Sequence, residues 1–140
     1  MARLAAELCA IAPDRWTAPF WAALIEHRLL IARCGVCGAL RMPPGPFCGS
    51  CSAQPIAWDE VRGTGRVHTF TITRRAFHSA LREHVPYVVA VIDLDDANGA
   101  RLIGNVVGVD PERVAIGMEV RVDWDDVDET TTIARWVPAC

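Results

Sequence analysis

The stretch Cys34-Gly35-Val36-Cys37-Gly38, followed after Met42-Pro43-Pro44-Gly45-Pro46 by Cys48-Gly49-Ser50-Cys51-Ser52, decides how this chain is read. Two Cys-x2-Cys pairs separated by ten residues have the spacing of a tetrahedral four-thiolate zinc site, with Cys34, Cys37, Cys48 and Cys51 as ligands. Each pair makes a tight knuckle whose thiolates converge on one centre. Glycines in and beside the knuckles permit the positive φ such a turn needs, and small residues let backbone N–H groups approach the sulfurs. The proline-rich turn between the pairs is stiff and brings the knuckles together. Four thiolates leave no open coordination position, so the ion is expected to be structural and not catalytic. Its binding energy, about 10–16 kcal/mol in small zinc modules, acts as folding energy for a segment with almost no core. A thioredoxin-type redox pair needs one Cys-x-x-Cys at a strand–helix junction and leaves the second pair unexplained. Cys9 and Cys140 lie outside the spacing and read as ordinary residues.

Around this stretch the chain has 140 residues, 51% hydrophobic and 22% charged, which suits one domain or two very small ones. That balance excludes disorder as the main state. A membrane-spanning helix needs roughly 20 consecutive apolar residues. The longest apolar run, Val85 to Ile92, is far shorter and contains Pro86. Near the N-terminus Glu7 interrupts the apolar residues before a secretory segment could form, so a cytoplasmic protein is expected, without a membrane. All 14 basic residues are arginine, which excludes Schiff-base chemistry and a phosphate-binding loop lysine. The net charge is −3, against a general nucleic-acid binder. Between Arg62 and Arg82 there are five arginines and no acid, whereas Asp93 to Glu129 carries eleven acids against three arginines. This polarity points to an anionic ligand or partner near the first stretch.

The fold class expected is mainly β, with N-terminal helices, a zinc ribbon and then a five-stranded OB-fold barrel. Residues 1–28 form the helical segment, 29–55 the ribbon and 56–140 the OB-fold domain. Ala2 to Ala12 suits a short helix with Leu4, Leu8 and Ile11 on one face. A second helix follows, with Thr17 as N-cap, Pro19 in the first turn, and Phe20, Trp21, Leu24 and Ile25 apolar. Leu29 to Ala32 reads as a strand feeding the first knuckle. Further strands are expected at 66–73, 87–94, 101–109, 119–124 and 130–137, separated by turn chemistry such as Asn98-Gly99 and Asp110-Pro111. Glycines within them, Gly104 and Gly108, suit the sharp coiling of a small closed barrel. Five strands with a longer insertion after the first match the OB barrel, and a small β-sandwich is the competing architecture.

These residues resemble a family of OB-fold proteins with a rubredoxin-like zinc ribbon, associated with acyl-CoA metabolism and termed domain of unknown function 35. The resemblance covers residues 16–138. It rests on Phe20-Trp21, the four cysteines, Pro43-Pro44, Trp58, Gly63-Thr64-Gly65-Arg66-Val67, Pro86-Tyr87, Gly104-Asn105 and Gly117-Met118. It implies a small accessory subunit, not an enzyme by itself, with a structural Zn2+. Such a subunit pairs as a hetero-oligomer with a thiolase-superfamily protein (a thiolase, an acyltransferase or a retro-aldol lyase of steroid side-chain degradation), or is fused to or associated with a hydratase-type protein. Acyl-CoA would be a ligand of the assembled complex.

The loop after the first barrel strand is one of the usual ligand-binding edges of an OB fold. There Arg74 and Arg75 are candidates to hold CoA phosphates and Phe77 to cover pantetheine or adenine. The plainer alternative is a solvated turn with Phe77 and Leu81 packed on the barrel. His27 ends a helix, His68 falls on the strand face of Phe70 and Ile72, and His78 and His84 flank the arginines, where they could line a channel. None has the context of a catalytic triad. The acidic run Asp123 to Glu129 lacks calcium-loop spacing and reads as a solvated hairpin. Trp16, Phe20 and Trp21 either mark a partner surface or pack the helix onto the ribbon. The rival function is a single-stranded nucleic-acid binder, favoured by Phe70, Phe77 and the arginines and opposed by the net charge.

Overall fold

The computed structural model describes residues 10–139. The helix expected over Ala2 to Ala12 therefore lies mostly outside the described residues, and Ala10 to Ala12 carry no regular structure. α1 (Ala18–Ile25) begins as expected, with Pro19 in its first turn. Thr17 occupies the N-cap position but does not cap with its side chain. Asp14 instead orders the turn just before the helix. Its carboxylate accepts from the backbone N–H groups of Trp16 at 3.0 Å and Thr17 at 2.8 Å, and from the Thr17 hydroxyl at 2.9 Å. These bonds organise the turn over residues 15–17 that precedes α1, where the Thr17 hydroxyl in turn accepts the Asp14 N–H at 3.2 Å. The chain leaves α1 through His27, whose φ is 56°.

β1 (Leu29–Cys34) pairs antiparallel with β2 (Ile56–Val61), from Leu29 opposite Val61 to Cys34 opposite Ile56. β2 is absent from the strands read off the sequence. Its alternation is weak, and its partner sits more than twenty residues upstream beyond both knuckles. The remaining strands are those expected: β3 (Thr64–Thr73), β4 (Tyr87–Leu94), β5 (Arg101–Val106), β6 (Glu119–Asp128) and β7 (Thr131–Pro138). They form a closed barrel in the order β3-β4-β5-β7-β6, with β5 and β7 parallel and β6 pairing back onto β3. This is the five-stranded OB architecture and not a sandwich. Val67, Val88, Ile92, Val120 and Trp136 fill its interior. Gly104 makes room for the Trp136 indole, since a Cβ there would lie 2.9 Å from the ring.

Two expectations about faces are corrected. A bulge between Val67 and Thr69 shifts the register of β3 on β4 by one residue. Val67 and, beyond the bulge, Phe70 and Ile72 pack on the core, while His68 points outward and bonds to Asp93 at 3.0 Å. His68 thus does not share the face of Phe70 and Ile72. The acidic run is not wholly solvated either. Asp125 is buried and paired with buried Arg135 at 3.1 Å, and Arg135 also reaches the Asn105 side-chain carbonyl. Among the described residues no helix is long and apolar enough to cross a membrane.

Candidate functional site

The sequence-predicted cysteines come together. The Sγ atoms of Cys34, Cys37, Cys48 and Cys51 all lie within 4.8 Å of one another. Across the knuckles Cys34 and Cys51 are 3.6 Å apart and Cys37 and Cys48 3.7 Å. Zn–S bonds of about 2.3 Å in a tetrahedron place sulfurs ~3.8 Å apart, so this set fits zinc. The knuckles repeat each other with an offset of fourteen residues. Cys34 N–H donates to Ala39 O at 2.7 Å and Cys48 N–H to Ala53 O at 2.8 Å. Gly38 N–H donates to Cys34 O at 3.1 Å and Ser52 N–H to Cys48 O at 2.9 Å. Positive φ falls on Gly38 (76°) and its counterpart Ser52 (63°). Gly35 serves a different need, since a Cβ there would press on Pro55 at 3.1 Å.

Arg41, which the sequence reading passed over, ties the module together. Its buried guanidinium donates to the carbonyls of Gln54 at 3.0 Å, Pro55 at 3.1 Å and Gly45, joining the proline turn to the end of the second knuckle. No sequence signal separates it from the other thirteen arginines. Backbone N–H groups also tune the sulfurs. Those of Cys37 and Val36 pull the Cys34 thiol down to about 6, and those of Cys51 and Ser50 lower Cys48. At Cys37 the Ala39 N–H works the same way. The crowding of Cys51, burial and the Cys48 and Cys34 sulfurs outweigh it and push Cys37 up to about 11. Metal binding displaces the remaining thiol protons and relieves that crowding.

The second candidate site is only partly assembled. Arg74 is tied by an ion pair to Glu112, next to the Asp110-Pro111 turn. Arg75 lies over the Phe77 ring at 5.6 Å, and Phe77 is 74% exposed, which corrects its alternative placement on the barrel. Leu81, by contrast, is buried and anchors the loop. His78 caps the short 3-10 turn Ser79–Leu81 by accepting the Ala80 N–H at 3.1 Å. Trp16 lines a cleft of about 280 Å³ with Pro19, Pro46 and Trp58, and Phe20 and Trp21 border an apolar pocket of about 310 Å³ with Met42, Pro44 and Leu102. The leading helix therefore packs against both ribbon and barrel.

Comparison with known proteins agrees with this arrangement. The rubredoxin-like zinc ribbon domain of ChsH2 matches residues 21–56, and the C-terminal OB-fold domain of ChsH2 matches residues 58–125. A probable enoyl-CoA hydratase alpha subunit from Thermomonospora curvata is 40% identical over 123 residues, 86% of this chain and 37% of its own length. The 3-oxo-4,17-pregnadiene-20-carboxyl-CoA hydratase alpha subunit of Mycobacterium tuberculosis is 36% identical over 128 residues, 89% of this chain and 38% of its own. The chain thus spans well under half of either relative. A DUF35 domain-containing scaffold protein from Methanocaldococcus jannaschii is 31% identical over 119 residues, covering 83% of this chain and 82% of that protein. Among solved structures, a chain of the Ltp2-ChsH2(DUF35) aldolase superposes with a TM-score of 0.83 at 37% identity, covering 94% of this chain and all of that one. With its four-thiolate ribbon leading into a closed five-stranded barrel, this chain belongs to the DUF35 family.

Proposed function

We propose that this chain is a non-catalytic subunit that pairs with a thiolase-superfamily enzyme acting on CoA thioesters, stabilises it, and helps wall its CoA and acyl channel. The observation that carries the reading is the likeness, along 94% of the chain, to a polypeptide of the Ltp2-ChsH2(DUF35) aldolase. Relatives named as a scaffold protein and as hydratase alpha subunits support it. Two features of the chain agree. Four thiolates fill a tetrahedral ion and leave no position for substrate, and the chain has no lysine. Nucleophile and acid–base groups come from the partner, whether it performs thiolysis, acyl transfer or retro-aldol cleavage. The assembly works in the cytoplasm, where cysteines stay reduced and metal-loaded.

Within that complex Arg75 and Phe77 meet the CoA moiety, the guanidinium on a phosphate and the ring on adenine or pantetheine. Arg74 contributes less, because Glu112 already neutralises it. The test is co-expression with a thiolase-superfamily protein from the same source. The two should co-elute on gel filtration, and the chain alone should turn over no acyl-CoA. Replacing Arg75 and Phe77 by alanine should raise KM for acyl-CoA at least tenfold in an intact complex, since a charged hydrogen bond alone is worth about 1.5–3 kcal/mol and the stacked ring adds to it. Separate elution, together with tight and steeply salt-dependent oligonucleotide binding, would establish the rival nucleic-acid role instead.

A further inference from the structure

The two knuckles do not shield their sulfurs equally. Cys34 and Cys48 are buried, at 0% and 3% exposure, whereas Cys37 and Cys51 are exposed. Cys34 closes the inward-packed strand β1, Cys48 is buried although Pro46 and Phe47 before it are exposed, and the second cysteine of each knuckle follows exposed neighbours, Gly35 and Val36 or Gly49 and Ser50. None of these four has a side chain larger than valine, so solvent reaches the outer two sulfurs.

Amide donors are more numerous on the buried pair, two on each of those sulfurs against the single Ala39 N–H at Cys37. Cys34 Sγ accepts from the Val36 and Cys37 N–H groups, both at 3.4 Å, and Cys48 Sγ accepts from the Ser50 N–H at 3.4 Å. Amide donors draw charge from a thiolate and reduce its nucleophilicity. The buried pair is thus both covered and quenched.

We infer that Cys37 and Cys51 form a reactive edge of the metal site, a modification site at which hydrogen peroxide oxidises the ribbon and frees its ion. The Cys37 thiolate attacks one peroxide oxygen. An S–O bond forms, the O–O bond breaks, and hydroxide leaves, so sulfur loses two electrons and peroxide gains them. The Cys48 thiolate, 3.7 Å away, then attacks the Cys37 sulfenic acid. The S–S bond forms, the S–O bond breaks, and a second hydroxide departs. Both hydroxides are neutralised to water by protons from the buffer. Cys51 and Cys34, 3.6 Å apart, offer the same route. Each disulfide joins one knuckle to the other, and two ligands are lost with each.

The test uses the full zinc-loaded chain. A brief iodoacetamide pulse, read by peptide mapping, should label Cys37 and Cys51 roughly tenfold faster than Cys34 and Cys48. Hydrogen peroxide should release zinc to a chromogenic chelator as Cys37–Cys48 and Cys34–Cys51 disulfides appear. A dithiol reductant with added zinc should restore the starting mass and metal content. Equal labelling of all four ligands, or labelling that begins at Cys34 and Cys48, overturns the proposal. So does peroxide that oxidises only Cys9 or Cys140 while zinc stays bound.

Discussion

In the barrel, Val67, Val88, Ile92, Val120 and Trp136 fill the interior at 1% exposure or less, whereas between Cys34 and Pro55 the only buried residues are Cys34, Arg41 and Cys48. The barrel is held as most small domains are, by apolar area removed from water and a ladder that closes on itself. The ribbon has no such interior. Its shape comes from four sulfurs around one centre and one guanidinium bridging three carbonyls. Its strands borrow what apolar cover they have, since Leu29 and Ile31 join the same buried cluster as Val67 and Trp136. One chain thus carries two kinds of stability side by side, one that depends on solution metal and one that does not.

The sharpest way to break that contrast is to remove the metal. Chelation at neutral pH withdraws a stabilisation of about 10–16 kcal/mol from the ribbon. Hydrogen exchange should show the knuckle and β1–β2 amides losing protection while those of β4 and β5 keep theirs. Simultaneous loss in both regions would mean that the barrel, too, depends on the ion. The converse experiment attacks the barrel. Trp136→Ala empties the space beside Gly104 and should cost about 3–5 kcal/mol in urea unfolding, with zinc content of the folded protein unchanged. Smaller is Arg41→Met, which keeps the aliphatic stem but leaves carbonyls in the ribbon without their donor. A loss of about 1–3 kcal/mol is expected, confined to ribbon amides by hydrogen exchange. An equal loss at β4 would show that Arg41 supports the whole molecule.

The same contrast explains what the sequence could and could not tell. The metal site was legible because its chemistry is local: four cysteines at fixed spacing determine a geometry almost regardless of the rest. The barrel strands were legible because each carries its own β-branched run between turns, and β4 matches its expected range of 87–94. Features set by long-range register were not. β2 forms only against β1, so its weak alternation gave no warning. One extra residue at the β3 bulge moved His68 to the outer face, and no periodicity of β3 alone encodes that shift. Asp125 sits among Asp123, Asp126 and Asp128 and looks like them. Its burial follows from Arg135 across the β6–β7 pair, a partner identified only by the fold. Arg41 was hidden for the same reason, as one arginine among fourteen.

The smallest effects set two residues with the same backbone strain against each other. Ser52 in the ribbon and His27 at the helix exit both hold positive φ, 63° and 56°. The Ser52 hydroxyl makes no hydrogen bond among the described residues, so Ser52→Gly should relieve the left-handed strain and stabilise the zinc-loaded protein by about 0.5–1 kcal/mol. His27→Gly relieves the same strain but forfeits more. The His27 ring stacks on Trp124 with 5.3 Å between centroids, and its Nε2 bonds both carboxylate oxygens of Asp126 at 2.9 and 3.1 Å. That variant should be less stable than wild type at neutral pH. The His27 hydrogen bond, helped by the Thr132 hydroxyl, holds the Asp126 carboxyl below its ordinary value of 3.8. A carboxyl depressed by folding contributes stability that is complete above its unfolded value and disappears as pH falls through its folded one. The difference between wild type and His27→Gly should therefore narrow in acid, while that between wild type and Ser52→Gly stays constant as long as zinc remains bound. Thermal melts of the three proteins across that pH range decide it: a His27→Gly gap that does not change with pH would reduce His27 to the same passive strain as Ser52.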